Sequence, residues 1–368
     1  MGGDHLLGAQ ASSPPGSRSR EVRRIAVLRA LKLGDLLCTV PAFRALRAAY
    51  PQADIRLIGL PWMSELVRRY DAYVDGLFML PGFPGMPERP FDARAFTRFL
   101  DEVQSWGPDL VLQLHGSGDL SNPLAMLLGG RTTAGYYLPG QYCPDPEHFI
   151  PYPTDLREVS RHLRLLEHLG IPARGVHKEL PIYEADRRAL ADVFDSDLTG
   201  PYAVIHPGAS VPERRWPPER FAAVGDALAE RGLQVVLTGG PEEAPITSAV
   251  RQAMRAPVLD LTGRTTLGTL GALLDGADLL VSNDTGVMHV AEAVGTPLAA
   301  VSFDPESWRW APLDAERYRI LTGGHDVVVV DVIATMTTLL GSRTGTTGTE
   351  CRTLGQTPDG RSGQPARR

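Results

Sequence analysis

Short apolar runs alternate with helical patterns through most of the chain. In the first half, strands are predicted at residues 23–30, 53–60 and 108–116, and helices at 41–51, 62–70 and 91–107. After residue 200 the alternation of strands and helices begins again, with strands predicted at 202–208, 233–240, 257–263 and 278–283 and helices at 217–232, 242–254 and 267–277. Unbroken apolar strands between helices are typical of parallel sheets that helices cover on both faces. The pattern predicts an α/β fold of two Rossmann-like domains whose parallel sheets face a central cleft.

The two ends of the chain differ in composition from the part between them. Residues 1–20 and 343–368 are rich in Gly, Ser, Thr, Pro and Arg. Because such segments bury too little apolar surface to offset their chain entropy, both are predicted to be disordered tails. We expect an N-terminal domain over 21–185 and a C-terminal domain over 186–342, joined through a less regular stretch at about 140–200.

Composition excludes several classes of protein. The 368 residues fit about two domains of roughly 150 residues each. A net charge of -6 gives no general attraction to nucleic acid or anionic lipid. No apolar run reaches the roughly 20 residues of a membrane span, and the N-terminus lacks the apolar core of a secretory signal, so a cytoplasmic location is expected. The three cysteines are scattered without metal-ligand spacing.

Basic residues are almost all arginine. Among the 37 Lys and Arg residues, only Lys32 and Lys178 are lysines. Arginine suits bidentate anion contacts, but a bias over the whole chain points to a GC-rich genome rather than to chemistry.

Polar residues follow the last predicted strand of the C-terminal domain. Ligands of open parallel sheets bind at the carboxyl ends of strands, and there the sequence reads Asp284-Thr-Gly-Val-Met-His. Asp284 is either a simple helix N-cap or part of an anion site, because Gly286 leaves the first amides of the helix uncovered. Thr285 and His289 are four residues apart and share a helix face that could meet a phosphate.

A second candidate loop follows the strand at 202–208. Gly208 and Ser210 suit a tight loop that carries a hydroxyl donor, and Arg214 with Arg215 adds positive charge. These arginines are either a solvated surface pair, or Trp216 fixes the segment to the domain so that one of the two arginine side chains points inward.

The loop at 238–246 is the third candidate. Glu242 or Glu243 could accept hydrogen bonds from the two hydroxyls of a ribose, although Pro-Glu-Glu also starts many helices for dipole reasons alone. Neither domain carries G-x-G-x-x-G after its first strand, and no G-x-x-x-x-G-K-[ST] occurs. Enzymes that use NAD and P-loop ATPases are therefore disfavoured.

The N-terminal domain offers one aspartate in the corresponding place. Asp35 lies just past the first strand, and Pro41 suggests that the next helix begins near Thr39, which would leave Asp35 on a loop. An aspartate there is either a cap or a general base for an attacking hydroxyl. The polar loop 115–123 either shapes a pocket for a polyhydroxy acceptor or is a flexible turn.

Together these motifs resemble glycosyltransferase family 9, the ADP-heptose:lipopolysaccharide heptosyltransferases. The resemblance rests on GDLLCTVPAFRALRAAYP, HPGASVPERRWPPERF, TGGPEE and SNDTGVMHVAEAVGTP, four motifs in the family's order, and spans about residues 23–320. It implies a GT-B fold, with the acceptor on the N-terminal domain and the nucleotide sugar on the C-terminal one. It also implies inverting transfer of a heptose from an ADP-sugar without a cofactor or a metal ion.

The resemblance carries over residue by residue. It implies that Asp35 is the catalytic base, that Ser210 binds phosphate and that Glu243 binds the ribose. Arg214 stands where the family has a lysine, which keeps the charge but changes reach and donor geometry. The D-T-G-x-x-H element, which would hold the diphosphate, is intact as Asp284, Thr285, Gly286 and His289.

Several alternatives stay open at this point. The acceptor could be a glycan, a glycolipid or a small molecule, and no nucleic acid is expected. The donor could be another nucleotide sugar that glycosylates a secondary metabolite such as an aminoglycoside. A GT-B sugar-nucleotide epimerase or a non-catalytic nucleotide-sugar-binding protein are further candidates. The N-terminal arginines (Arg18, Arg20, Arg23, Arg24) either assist peripheral association with the inner face of the membrane or belong to an ordinary tail.

Overall fold

The computed structural model describes residues 21–194 and 200–343. The predicted tail at 1–20 and nearly all of that at 343–368 therefore lie outside the described residues. The chain forms two compact units, and the first runs to Tyr183 and also includes Glu292–Val294 and Glu306–Pro312. The second begins at Glu184 and contains the rest of the later chain. The sequence pattern carried no sign of the two segments that return to the first unit.

A six-stranded parallel sheet forms the centre of the first unit. Its strands are β1 (Arg24–Leu28), β2 (Asp54–Gly59), β3 (Gly76–Met79), β4 (Leu110–Gln113), β5 (Thr132–Tyr137) and β6 (Phe149–Pro151). Their order across the sheet is β3-β2-β1-β4-β5-β6, and each neighbouring pair is parallel. This 3-2-1-4-5-6 order is that of the Rossmann fold.

The helices of the first unit follow the strands. They are α1 (Leu33–Leu37), α2 (Val40–Ala49), α3 (Ser64–Arg69), α4 (Ala93–Trp106), α5 (Ser121–Leu127) and α6 (Glu158–His168). Local chemistry sets the ends of α4: the Asp92 carboxylate accepts from the amides of Arg94 and Ala95 at 3.0 Å. Gly107 then ends the helix with φ at 68°, a conformation that favours glycine.

Asp35 lies within a short helix, which corrects the expectation that it sits on a loop. Residue 35 is the third residue of α1, and α2 begins separately after Thr39. In its first turn the backbone amide of Lys32 donates to the Asp35 carboxylate at 3.3 Å, and the Leu36 amide donates to the Lys32 carbonyl at 3.1 Å. Pro41 restricts only the start of α2, so its position says nothing about the residues before Thr39.

The second unit repeats the same arrangement. Its strands are β7 (Tyr202–His206), β8 (Gln234–Leu237), β9 (Val258–Asp260), β10 (Leu279–Asn283), β11 (Leu298–Ser302) and β12 (Tyr318–Thr322). They are ordered β12-β11-β10-β7-β8-β9, again all parallel. The predicted α/β fold of two Rossmann-like domains is confirmed.

Six helices flank this second sheet in sequence. They are α7 (Glu184–Val193), α8 (Pro218–Ala229), α9 (Ala244–Ala253), α10 (Leu267–Gly276), α11 (Gly286–Val294) and α12 (Val329–Arg343). The stretch expected to be less regular, at about 140–200, in fact contains both α6 and α7. None of the helices in the described part of the chain is long and apolar enough to span a bilayer.

Trp216 is a main packing residue of the second unit. The side chain is fully buried, meets Phe221 edge to face at 5.2 Å and belongs to a core that includes Val281 and Val301. Its indole N–H donates to the Val327 carbonyl at 3.0 Å. The ring therefore fixes the segment after β7 to the core beneath it.

We expect Trp216→Ala to lower the free energy of unfolding of this unit by about 3–5 kcal/mol, the usual cost of deleting a buried aromatic side chain. The control is Val330→Ala in the same unit, because Val330 is 67% exposed and its truncation should change stability by less than about 0.5 kcal/mol. Chemical denaturation followed by circular dichroism measures both. Equal effects of the two substitutions would contradict the packing role of Trp216.

Candidate functional site

Each sheet reverses its strand order once, and several of the candidate residues follow the strands at that reversal in their own unit. In a 3-2-1-4-5-6 sheet the connections diverge between strands 1 and 4, which leaves a crevice at the carboxyl ends of those strands. In the first unit these strands are β1 and β4, and in the second they are β7 and β10. Asp35 follows β1, whereas Ser210 follows β7 and Asp284 follows β10.

Three donors hold the Asp35 carboxylate. Its Oδ1 accepts from the Trp310 indole N–H at 3.1 Å and from the Arg29 guanidinium at 3.4 Å. Its Oδ2 accepts from the Lys32 amide at 3.3 Å. The side chain is 21% exposed. It is thus oriented by neighbours on several segments and still reachable by a ligand.

Arg29 is buried directly behind Asp35. Only 1% of its side chain is exposed, and it donates to the Leu114 carbonyl at the end of β4. Glu158 lies 2.8 Å from the guanidinium and Asp35 lies 3.4 Å from it. Burial disfavours the cation, but these two carboxylates outweigh that effect, and the pKa of Arg29 is raised above its usual value.

Glu158 and the following turn of α6 complete this buried cluster. Its carboxylate pairs with Arg161 at 2.7 Å and lies 3.5 Å from the His162 ring. Burial, followed by the charges of Arg29 and Arg161, holds the pKa of His162 well below its usual value. Sequence reasoning missed this cluster. Val159 and Leu163 are apolar residues at helical spacing, which predicts a helix here but does not single out Glu158.

The polar loop 115–123 begins with a histidine that contacts the residue before the Asp35 helix. His115 Nδ1 accepts from the Ala30 amide at 3.1 Å, so Nε2 carries the proton. Nε2 lies 3.6 Å from Glu88. Burial raises the pKa of Glu88, but its interactions with the His115 ring and with its own backbone amide outweigh burial and lower it. The bond from Ala30 thus ties the first residue of the loop to the residues that follow β1.

In the second unit, Asn283 holds the loop after β7. Its amide donates to the carbonyls of Pro207 at 2.7 Å and Gly208 at 3.2 Å, and its side-chain oxygen accepts from the Trp216 amide at 2.9 Å. Because Asn283 ends β10, these bonds cross the point where the strand order reverses. Asn283 was not among the predicted site residues, although it lies within the SNDTG motif.

Glu243 contacts the glycine of the β7 loop. A Cβ at Gly208 would overlap the Glu243 carboxylate, so only glycine permits this approach. The Gly240 amide donates to Glu243 Oε2 at 2.8 Å, and His206 Nε2 lies 3.5 Å from the same oxygen. Burial lowers the pKa of His206, against the opposing effect of Glu243. Of the two glutamates considered from sequence, Glu243 is therefore the one beside the loop.

Arg214 and Asp284 line the same small cavity. Arg214 pairs with Asp304 at 3.1 Å, and Asp284 accepts from the Ser302 hydroxyl at 2.8 Å. Ser302 and Asp304 line the same cavity.

The remaining predicted residues lie on the adjoining segments. Gly286 begins α11, and the Thr285 hydroxyl oxygen before it is buried without a hydrogen-bond partner among the described residues. His289 lies in the first turns of α11 with 5% exposure. Ser210 is exposed on the loop after β7. The first amides of α11 and an orphan hydroxyl thus lie together, which suits an anion.

Two of the N-terminal arginines are described, and both side chains have local partners. Arg23 pairs with Glu21 at 2.9 Å, and Arg24 donates to the Trp106 carbonyl. Arg18 and Arg20 lie outside the described residues. Within 21–194 and 200–343, no three His, Cys, Asp or Glu side chains are grouped as metal ligands would be.

Two Rossmann-type units, each with polar residues at the reversal of its strand order, make up the GT-B fold. Comparison with solved structures agrees. A glycosyltransferase family 9 structure from Veillonella parvula superposes with a TM-score of 0.73 at 24% identity, covering 89% of this chain and all of that one. The Escherichia coli ADP-heptose lipopolysaccharide heptosyltransferase II superposes with a TM-score of 0.69 at 20% identity, over 88% and 99% of the two chains.

Sequence comparison gives the family. The profile of glycosyltransferase family 9 (heptosyltransferase) matches residues 145–324. Lipopolysaccharide heptosyltransferase 2 of Salmonella typhimurium is 31% identical over 324 residues, which cover 83% of this chain and 90% of the relative. The chain belongs to glycosyltransferase family 9. Its activity is therefore that of a glycosyltransferase.

The buried His162 leads to a prediction about pH. Its folded pKa is depressed, so below the unfolded value of about 6.5 the unfolded chain binds a proton that the folded protein does not. Stability contributed by the neutral ring is present above that value and is lost as the pH falls. Between pH 6.5 and 5.5 we expect His162→Leu to remove about 1 kcal/mol of the pH-dependent loss in unfolding free energy.

Urea denaturation at a series of pH values measures this difference. The control is His168→Leu, since His168 is exposed on the same helix and its replacement should leave the slope as in the wild type. A wild-type slope in the His162 variant would show that the ring is protonated in the folded protein.

Proposed function

We propose that this glycosyltransferase moves a heptose from ADP-heptose to an acceptor hydroxyl with inversion at the anomeric carbon. Relatives over most of the chain are named lipopolysaccharide heptosyltransferases, and the name of one structural neighbour includes ADP-heptose. The observation that carries the proposal is the Asp35 carboxylate: it lies at the strand reversal, three donors orient it, and it is 21% exposed.

Asp35 would act as the general base. As the acceptor oxygen attacks the anomeric carbon, the Asp35 carboxylate takes the hydroxyl proton. The bond between that carbon and the β-phosphate oxygen breaks at the same time, and ADP leaves with the electron pair. Attack from the side opposite the leaving group inverts the configuration. A positioned base of this kind contributes about 10²–10⁴ to a rate.

The second unit would stabilise the departing diphosphate. The donors lie on two adjoining segments. Arg214 and Ser210 are on the segment after β7, and His289 and the first amides of α11 are on the segment after β10. Asp284, Thr285 and Gly286, at the start of α11, are proposed to belong to the same diphosphate site. Arg214 is 52% exposed, and its ion pair with Asp304 is a surface pair worth about 0–1 kcal/mol. The guanidinium can therefore turn to an incoming diphosphate at little cost.

Glu243 would bind the ribose hydroxyls of the nucleotide. It lies against Gly208, and the Gly240 amide and the His206 ring fix one of its oxygens. A carboxylate held in this way accepts from two vicinal hydroxyls, as acidic residues do in other Rossmann sites. We assign no metal ion to the reaction, because Arg214 and the α11 amides would supply the positive potential.

The acceptor is proposed to be a glycan or glycolipid of the lipopolysaccharide core, from the names of the relatives. We place the reaction in the cytoplasm, at the inner face of the membrane when the acceptor is lipid-linked. The described arginines Arg23 and Arg24 already have partners within the first unit, so they are weak support for an electrostatic contact with lipid.

Nucleotide binding tests the donor half of the proposal. Calorimetry with ADP, UDP, GDP and dTDP should show selective binding of ADP. Arg214→Ala should weaken ADP binding by about 10- to 100-fold, because it removes hydrogen bonds to a charged group. Arg251→Ala, an exposed arginine on α9, is the control and should bind like the wild type. Preference for another nucleotide would keep the transferase and contradict ADP-heptose.

Turnover tests the base. Asp35→Asn should lower ADP release from ADP-heptose by about 10²–10⁴-fold, with heptose-deficient lipopolysaccharide as the acceptor, while ADP binding stays unchanged. Asp71→Asn, an exposed aspartate of the same unit, should retain full turnover. Nuclear magnetic resonance of the product gives the anomeric configuration. Full activity of Asp35→Asn would remove Asp35 from the mechanism, and retained configuration would exclude the single inverting step.

A further inference from the structure

We propose that Trp310 is a positioning residue for the Asp35 base: its indole N–H engages Oδ1 and leaves Oδ2 to take the acceptor proton. This inference rests on the proposed function, in which Asp35 is the base. Trp310 lies 275 residues away in sequence, outside all four motifs on which the family resemblance was based.

The contact belongs to the first unit. The segment Glu306–Pro312 groups with that unit although the chain around it forms the second. Trp310 is half-buried there, and its Nε1 lies 3.1 Å from Asp35 Oδ1. An indole nitrogen is a donor only, so Trp310 can orient the carboxylate in its ionised form but cannot compete with it for the proton.

Arg157 holds the segment that presents Trp310. Its guanidinium donates to the carbonyls of Ala311, at 3.4 Å, and Pro312. Arg157 directly precedes α6, and the next residue, Glu158, neutralises Arg29. One short stretch at the start of α6 therefore positions both side chains that contact Asp35 Oδ1.

The two carboxylate oxygens of Asp35 consequently differ. Oδ1 receives Trp310 and Arg29, whereas Oδ2 receives only the Lys32 amide, at a long 3.3 Å, among the described residues. An oxygen with a single weak donor has lone pairs left for a hydroxyl. The geometry thus selects Oδ2 as the oxygen that receives the proton, and Trp310 keeps the carboxylate from rotating.

The contact is tested without any turnover. The chain has five tryptophans, so ¹⁵N-Trp-labelled protein gives five indole N–H signals, and Trp310→Phe assigns one of them. We expect Asp35→Asn to shift that signal and to speed its exchange with solvent, while the other four stay in place. An unmoved Trp310 signal would overturn the inference regardless of the reaction.

Kinetics test the role. Trp310→Phe keeps a ring but removes the donor, and should lower kcat about tenfold or more, the usual effect of one lost hydrogen bond to a charged group. The KM for donor and acceptor and the ADP affinity should stay within about twofold. Trp308→Phe, an exposed neighbour, should behave as the wild type. A merely structural role would instead lower the melting temperature or change KM together with kcat.

Arg157→Gln distinguishes positioning from other effects. It should lower kcat in the wild type, yet change the Trp310→Phe variant by less than about twofold, because both substitutions remove the same contact. Unchanged kcat in Trp310→Phe, or additive losses, would overturn the inference while Asp35 remains the base. An active Asp35→Asn variant, or a wild type that releases no ADP from ADP-heptose, would instead contradict the proposed function. In that case the Trp310 indole signal still tests whether Trp310 and Asp35 are in contact.

Discussion

Burial of the Arg29 guanidinium is the constraint that organises the first unit. A charged group in a protein interior is strongly destabilising unless a partner neutralises it. Glu158 supplies that partner at 2.8 Å, and the end of β4 supplies a carbonyl at Leu114. The guanidinium also donates to the backbone carbonyl and the carboxylate of Asp35. The Asp35 carboxylate, which follows β1, is thus held by a charge balance that reaches three separate elements.

In the second unit, a neutral side chain fixes the loop that follows the first strand. Asn283 is fully buried at the equivalent strand, and its amide bonds to three backbone groups of the loop after β7. A neutral amide carries a smaller desolvation cost than an ion pair and contributes no net charge. The loop after β7 is thus fixed by a neutral side chain, whereas the carboxylates of Asp284 and Asp304 line the cavity that Arg214 also lines. The negative charge of Glu243 is instead held against Gly208, by Gly240 and His206.

Features that depend on local periodicity could be read from the sequence, and those that depend on distant partners could not. Seven of the described strands, among them β1, β7 and β10, and the loops bearing Asp284 and Ser210 follow from apolar spacing and from turn residues, whereas β3, β5, β6, β11 and β12 were not predicted. Asp35 was expected just past β1, as the structure has it, but on a loop rather than within the short helix α1. Glu158 and Trp310 carry no local signature. Glu158 pairs with Arg29 and Trp310 with Asp35, and both pairs join residues that are far apart in sequence and meet only in the folded chain.

The adjacency of Arg157 and Glu158 limits how chain length can vary. Arg157 is the extended residue before α6 and Glu158 is the first helical residue, and their side chains reach Pro312 and Arg29 respectively. A residue inserted between them would move one side chain away from its partner. The start of α6 must therefore keep its length if it is to hold both Arg29 and the segment that presents Trp310.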